Sequence, residues 1–309
     1  MSAALCEIFI LLILSISVSG QDHLPKASEC GTLNTDYYYN QKNLSEIGEF
    51  PWIGRVQYED NGKTWFQCES ALISERFVLL NARCFHLQWH GTYSNRSKVQ
   101  PARILLGEWN RGNSAKKSDC DDSGRCAPVP KMYEVEESIL HPKYSNETTD
   151  HNIALIKLSE TVKFSDFIRP ICLPSKEIAQ MNFDNQLLEV TGWFREDSHG
   201  QILVKSFARV INLNTCEFKL KNSYKVIKED SICALTCWDK YVYNIGANLM
   251  STTLVDEEPA NYYLIGLIIY SDPKCSLGIP NVYSRVDRHL DWIYENTKYE
   301  NSLITPRKA

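Results

Sequence analysis

The chain has 309 residues, 43% of them hydrophobic, 11% aromatic and 23% charged, and a net charge of −5. An ordinary apolar fraction with no dominating residue type excludes a disordered or low-complexity chain, and the length suffices for one large or two small domains. Mild acidity offers no broad positive field, which argues against nucleic acid or an anionic membrane as the main partner. The unusual count is that of the cysteines, eleven in all.

Residues 6–19 form an apolar stretch, followed by the small-residue site Val18-Ser19-Gly20. Its length suits a signal-peptide core and falls short of a comfortable membrane span, although no Lys or Arg precedes it. Residues 1–20 are therefore read as a signal peptide and the protein as secreted and extracellular. Cleavage removes Cys6 and Glu7 and leaves an even ten cysteines, which argues for five disulfides in an oxidising compartment. Three sequons begin at Asn43, Asn95 and Asn146 in polar stretches and are candidate glycosylation sites.

Residues 21–47 are polar, rich in Tyr and Asn, and hold a single cysteine, Cys30. They read as a leader or linker. From Gly48 onward, short β-like runs alternate with turn residues: Trp65–Ile73, Phe77–Leu80, Ala102–Leu106, Ile153–Leu158, Leu187–Trp193, Ile202–Val210 and Tyr262–Tyr270. Many short strands with few helical stripes predict an all-β barrel or sandwich. At the end, Val286, Leu290, Ile293 and Thr297 recur at helical spacing, which predicts a helix over 286–298. The folded domain is assigned to residues 48–299, with a loose tail over 300–309.

Several segments carry a resemblance. They are Gly48-Glu-Phe-Pro-Trp52, Cys68-Glu-Ser-Ala-Leu-Ile73, Phe77-Val-Leu-Leu-Asn-Ala-Arg-Cys84, His141-Pro-Lys-Tyr144, Asn152-Ile-Ala-Leu-Ile-Lys-Leu158, Arg169-Pro-Ile-Cys-Leu-Pro174, Thr191-Gly-Trp193, Pro280-Asn-Val-Tyr-Ser-Arg-Val286 and Asp291-Trp-Ile293. In this order they resemble the trypsin-like serine proteases, closest to the arthropod extracellular clip-type members. The cysteine knot of a clip domain is not found in residues 21–67. The resemblance implies two packed six-stranded antiparallel β-barrels with a C-terminal helix, and an active site between the barrels.

In that family His, Asp and Ser meet at the cleft. The resemblance places Arg83 at the His position, Asn152 at the Asp position and Ile245 at the nucleophile, within Tyr243-Asn-Ile-Gly-Ala-Asn-Leu249. Arg stays protonated and cannot act as a general base. Asn152 brings no charge, a change that costs about 10⁴ in rate in that family's own triad. Ile245 has no nucleophilic atom. Tyr243 replaces a Gly of the oxyanion hole. Ile269 stands where the family has a Ser of the specificity pocket, while Ser271 and Asn281 stand at pocket Gly positions. Asp239 lies six residues before Ile245, as the trypsin-like pocket Asp does, but the spacing from Cys233 is short and a solvated loop carboxylate is the plainer reading. The family's new N-terminus would fall near Tyr39, where no Lys or Arg offers a tryptic cut, and its charge partner would be Asn244 instead of Asp. The resemblance thus implies a pseudo-protease with no catalytic residues.

The same resemblance implies the pairs Cys30–Cys172, Cys68–Cys84, Cys120–Cys126, Cys216–Cys233 and Cys237–Cys275. The sequence reading expects no metal and no cofactor: Cys233 and Cys237 suit disulfides better than zinc, and Glu108 and Asn110, where some relatives bind calcium, lack a convincing second carboxylate at the far end of their loop. His86 and His90 read as surface histidines. A rebuilt dyad of His151 and Ser251 is disfavoured, since neighbouring side chains on a strand diverge. Tyr37, Tyr38 and Tyr39 read either as a contact patch or as leader packing. The expected role is protein binding, as a cofactor or regulator of an extracellular protease cascade such as melanisation or immune signalling, with proteases or their zymogen substrates as partners. The alternatives are a glycan- or matrix-binding protein that uses loop tryptophans such as Trp89, Trp109 and Trp238, or a hydrolase with residual activity.

Overall fold

The computed structural model describes residues 24–39, 43–86, 100–148, 150–194, 201–221, 227, 229–236, 244–255, 258–271 and 278–298. Residues 1–20, expected as a signal peptide, with Asn95, His90, Trp89, Trp238, Asp239, Tyr243, the expected Cys237–Cys275 pair and residues 300–309, lie outside the described residues.

Twelve strands make two closed antiparallel barrels. The first holds β1 (Ile53–Asp60), β2 (Lys63–Leu72), β3 (Phe77–Leu80), β4 (Pro101–Leu106), β5 (Lys131–Leu140) and β6 (Ala154–Leu158), ordered β1-β2-β3-β6-β5-β4 and closed by β1 on β4. The second holds β7 (Leu187–Gly192), β8 (Val204–Ile211), β9 (Ser231–Leu235), β10 (Asn248–Val255), β11 (Glu258–Tyr270) and β12 (Asn281–Arg285), ordered β10-β11-β12-β9-β8-β7 and closed by β10 on β7. Closure leaves neither sheet with a free edge. The inward residues are large and apolar. Trp52, Tyr58, Leu72, Leu79 and Ile104 of the first barrel share one buried cluster with Trp193, Leu264 and Leu267 of the second and with Ile293 near the C-terminus. The apolar interior is thus continuous between the barrels.

The predicted terminal helix is divided. Asp287–His289 form a 3₁₀ turn, and the α-helix runs over Leu290–Thr297. The break falls at His289, whose φ of −125° and ψ of 10° are not helical and whose Nδ1 lies 2.8 Å from the Arg285 carbonyl oxygen. Thr297 Oγ1 donates to the Ile293 carbonyl and closes the last turn. Among the described residues, three α-helices escaped the pattern reading: the single turns Thr35–Tyr38 and Lys176–Ala179, and Leu213–Leu220, capped by Asn212 Oδ1 accepting the Thr215 N–H.

The leader is better described as a strap than as a linker. Cys30 is bonded to Cys172, the Gly31 amide donates to Pro170 and the Tyr262 amide donates to Gly31. Asn261 Nδ2 donates to the carbonyls of Ala27 and Cys30, both at 2.8 Å. A Cβ on Gly31, at φ +57°, would lie 2.1 Å from the Tyr262 carbonyl oxygen, so only glycine lets the strap approach. Backbone pairing to an existing barrel needs no apolar periodicity, and so a polar segment gave no sign of being docked. Tyr38 packs on Tyr262 at 6.3 Å, and Tyr37 supplies its carbonyl to Lys205 Nζ at 2.7 Å, which places these two in packing; Tyr39 is 59% exposed.

Candidate functional site

The candidate cleft lies where the turn after β3, the start of β6 and the loop before β10 converge. Arg83 sits in the 3₁₀ turn Ala82–Phe85, anchored by the Cys68–Cys84 disulfide. Its amide N–H donates to Asn152 Oδ1 at 2.8 Å. Asn152 is fully buried, its carbonyl accepts the Ser284 hydroxyl at 3.0 Å, and its Nδ2 finds no acceptor among the described residues. Asn81 Nδ2 donates across to the Ile268 carbonyl at 2.8 Å, tying this turn to β11. The third element is Asn244–Gly246. Ile245 packs against the shared apolar cluster, its carbonyl accepts the Glu69 amide at 2.9 Å, and the Gly246 amide donates to Ile268. Gly246 has φ +99°, and a Cβ there would lie 2.1 Å from the Glu69 carbonyl oxygen. The structure therefore brings Arg83, Asn152 and Ile245 to adjoining elements around the β11 backbone.

Beneath this loop lies an acid that the sequence reading passed over. Glu69, on β2, is 1% exposed. Its Oε1 accepts the Trp193 amide at 2.9 Å. Burial pushes its carboxyl up to about 8, against the weaker lowering effects of the Trp193 amide, the Asn244 carboxamide and the guanidinium groups of Arg111 and Arg55. Of the expected pocket positions, Ile269 is buried with Cys216, Cys233 and Val282, Asn281 is 3% exposed, and Ser271 is half-buried.

The trypsin family pattern matches residues 40–293. The chain belongs to the trypsin family. The CLIP domain-containing serine protease HP8 of Bombyx mori is 31% identical to it over 87% of this chain and 72% of that protein. Phenoloxidase-activating factor 3 of Holotrichia diomphalia is 31% identical over 89% of this chain and 76% of that one. The crystal structure of the Drosophila Grass clip serine protease of the Toll pathway superposes with a TM-score of 0.64 at 22% identity, covering 87% and 74% of the two chains, a likeness of fold.

Four of the five disulfides implied by the trypsin-family resemblance are present: Cys30–Cys172, Cys68–Cys84, Cys120–Cys126 and Cys216–Cys233. The loop around Glu108 and Asn110 is built differently from the expectation. Glu108 pairs with Arg55, and Asn110 Oδ1 accepts the Gly112 amide. The organising carboxylate is Asp119, whose Oδ2 accepts the amides of Trp109 at 2.9 Å and Asn110 at 2.8 Å and whose Oδ1 accepts Asn113 Nδ2. Trp109 is itself held in packing, its indole N–H donating to the Ser45 carbonyl at 3.0 Å. Asn43 and Asn146 are exposed.

His151 does diverge from Asn152, though not by strand alternation. It precedes β6 and has φ +47°. This turn sends its ring away from the cleft, stacked on His141 at 4.5 Å and facing His289. His86 lies 5.6 Å from Tyr144. The carboxylate of Asp230 accepts the His151 amide at 2.9 Å. Burial, followed by the other two imidazoles, pushes His141 down to about 4, and burial also lowers His289. Among the described residues, no helix is long and apolar enough to cross a membrane.

Proposed function

We propose that this chain is a secreted, non-catalytic serine protease homologue that acts by binding proteins, as a cofactor or regulator of an extracellular protease cascade in immunity or melanisation. The observation that carries the reading is the hydrogen bond from the Arg83 amide to Asn152 Oδ1, beside Ile245 on the adjoining loop. The framework of the cleft is thereby kept with a permanent cation, an uncharged amide and an alkyl side chain in it. No base, no imidazolium-stabilising carboxylate and no nucleophile stand at these positions. The cascade setting is supported by the name of the Holotrichia relative, phenoloxidase-activating factor 3. Secretion is supported by four disulfides, which persist in oxidising compartments. A disulfide-braced double barrel is a rigid platform for presenting loops to a protein partner. The reading calls on no cofactor in the cleft, and the exposed Asn43 and Asn146, with Asn95, carry glycans.

The test has two arms. Purified protein is treated with a fluorophosphonate serine reagent and assayed on small peptide esters; neither labelling nor turnover above background is expected. Turnover abolished by Ser251→Ala refutes the reading. In the second arm, tagged protein is used to capture partners from haemolymph. Proteases or their zymogen substrates support the proposal, and selective retention of polysaccharide overturns it in favour of glycan recognition.

A further inference from the structure

On the side of Asn152 away from the cleft, three segments distant in sequence converge: the turn before β6, the residue preceding β9 and the 3₁₀ turn leading into the C-terminal helix. They bring together His151, Asp230 and His289, whose ligating atoms all lie within 4.8 Å of one another. His151 Nδ1 is 3.3 Å from His289 Nε2, and His289 Nε2 is 3.8 Å from Asp230 Oδ2.

The protonation pattern follows from the partners. His289 Nδ1 faces the Arg285 carbonyl at 2.8 Å and must be the protonated nitrogen there. The neutral ring then presents a lone pair at Nε2 toward His151 and Asp230. A histidine whose far nitrogen donates to a backbone carbonyl is held in the orientation and tautomer of a metal ligand. His151 is fixed in turn by its stack on His141, with ring planes 11° apart, and its own amide anchors the Asp230 carboxylate. The His289 side chain is 1% exposed while that of Asp230 is 17% exposed, so the cluster is walled on one side and reachable from solvent on the other.

We propose that His151 Nδ1, His289 Nε2 and Asp230 Oδ2 form a zinc site. Bonds of about 2.0–2.1 Å to a tetrahedral ion require ligand atoms about 3.3–3.4 Å apart. The two histidine nitrogens already stand at that separation; the carboxylate, 3.8 Å from His289 Nε2 and within 4.8 Å of His151 Nδ1, must swing inward by up to about 1.4 Å. Two imidazoles and one carboxylate favour zinc over calcium or magnesium, which take oxygen ligands. Three protein ligands leave the fourth position to water. In the metal-free chain His151 Nδ1–H donates to His289 Nε2. On binding, His151 exchanges that proton through solvent to its Nε2, so both rings stay neutral and each gives a lone pair to the ion. The ion ties the first barrel to the C-terminal helix through groups that take no part in the cleft.

The full chain, stripped with EDTA and dialysed, is titrated with zinc chloride by calorimetry. One equivalent per chain is expected, together with a zinc-dependent rise in melting temperature. Cobalt(II) in its place gives the strong visible bands of a four-coordinate ion. Asp230→Asn and His151→Gln, both at half-buried positions, weaken binding by at least about tenfold and remove the melting shift, with circular dichroism confirming that they fold. His289→Gln replaces a buried ring, and its result counts only alongside these two. Absence of saturable zinc binding, binding unchanged in both Asp230→Asn and His151→Gln, or a six-coordinate cobalt spectrum overturns the proposal.

Discussion

Replacing Glu69 with Gln is expected to stabilise the protein at neutral and alkaline pH and to leave it unchanged in acid. Gln retains the oxygen that accepts the Trp193 amide and cannot ionise. In the folded chain burial lifts the carboxyl from 4.5 to about 8. A carboxyl raised in this way is protonated in the folded state over a range where the unfolded chain has already released its proton. Its contribution to stability is complete below about pH 4.5 and is lost as pH rises through about 8. At pH 7 the loss spans about 2.5 pH units, and at ~1.4 kcal/mol per unit it amounts to on the order of 3 kcal/mol. Urea-unfolding free energies of the disulfide-intact protein, taken at intervals from about pH 5 to about pH 8, measure it. The native chain should weaken across this interval by more than Glu69→Gln does. Glu49, Glu108 and Glu189 are also raised by burial and slope the same way, but they are common to both proteins and drop out of the difference. Parallel pH profiles, or a Glu69→Gln protein less stable than native at about pH 8, refute the reasoning.

Two further outcomes follow from other buried features. Lys205 and Glu49 form an ion pair whose side chains are only 5% and 3% exposed; Lys205→Met should cost about 3 kcal/mol at neutral pH. The cost should shrink in acid as Glu49 takes up a proton, and largely vanish in the double variant Lys205→Met/Glu49→Leu, by urea unfolding. Cutting the Cys30–Cys172 bond, which closes a separation of 142 residues, by changing both cysteines to Ser should cost about 2–5 kcal/mol. It should also speed tryptic cleavage after Lys26, read by mass spectrometry; an unchanged cleavage rate would mean that the backbone pairing of Gly31 alone holds the strap.

The barrels were legible because their information is local. Runs such as Phe77–Leu80 and Leu187–Gly192 are β-rich and bounded by turns, and the order of the motifs fixed which run occupies which place in the fold. What escaped depends on distance in sequence or on a single backbone angle. His141, His151, Asp230 and His289 lie in four separate segments, each bland on its own. The left-handed φ of His151 turns its ring out of the cleft, and no pattern of side chains reports such an angle. Asp119 was overlooked because its role is to bind backbone amides, which carry no sequence signature. The strap was overlooked for the same reason.

Glu69 differs from these, because its signal was printed in the sequence: a Glu stands where the resembling motif has Gly. The significance of that exchange emerges only with Asn244. In the trypsin-like pattern the residue before the nucleophile is an Asp, balanced by the ammonium of a freed N-terminus. Here the loop offers an amide, and an acid beside it arrives from β2, enclosed by Gly246, Gly192 and the Trp193 amide. A carboxyl without an adjoining ammonium in so dry a place gains more by keeping its proton than by ionising, and its raised pKa expresses that. A neutral acid under the Ile245 loop needs no cleavage event to supply its partner. Glu69 also donates its amide to the Ile245 carbonyl, so the loop is tied to β2 through both backbone and side chain.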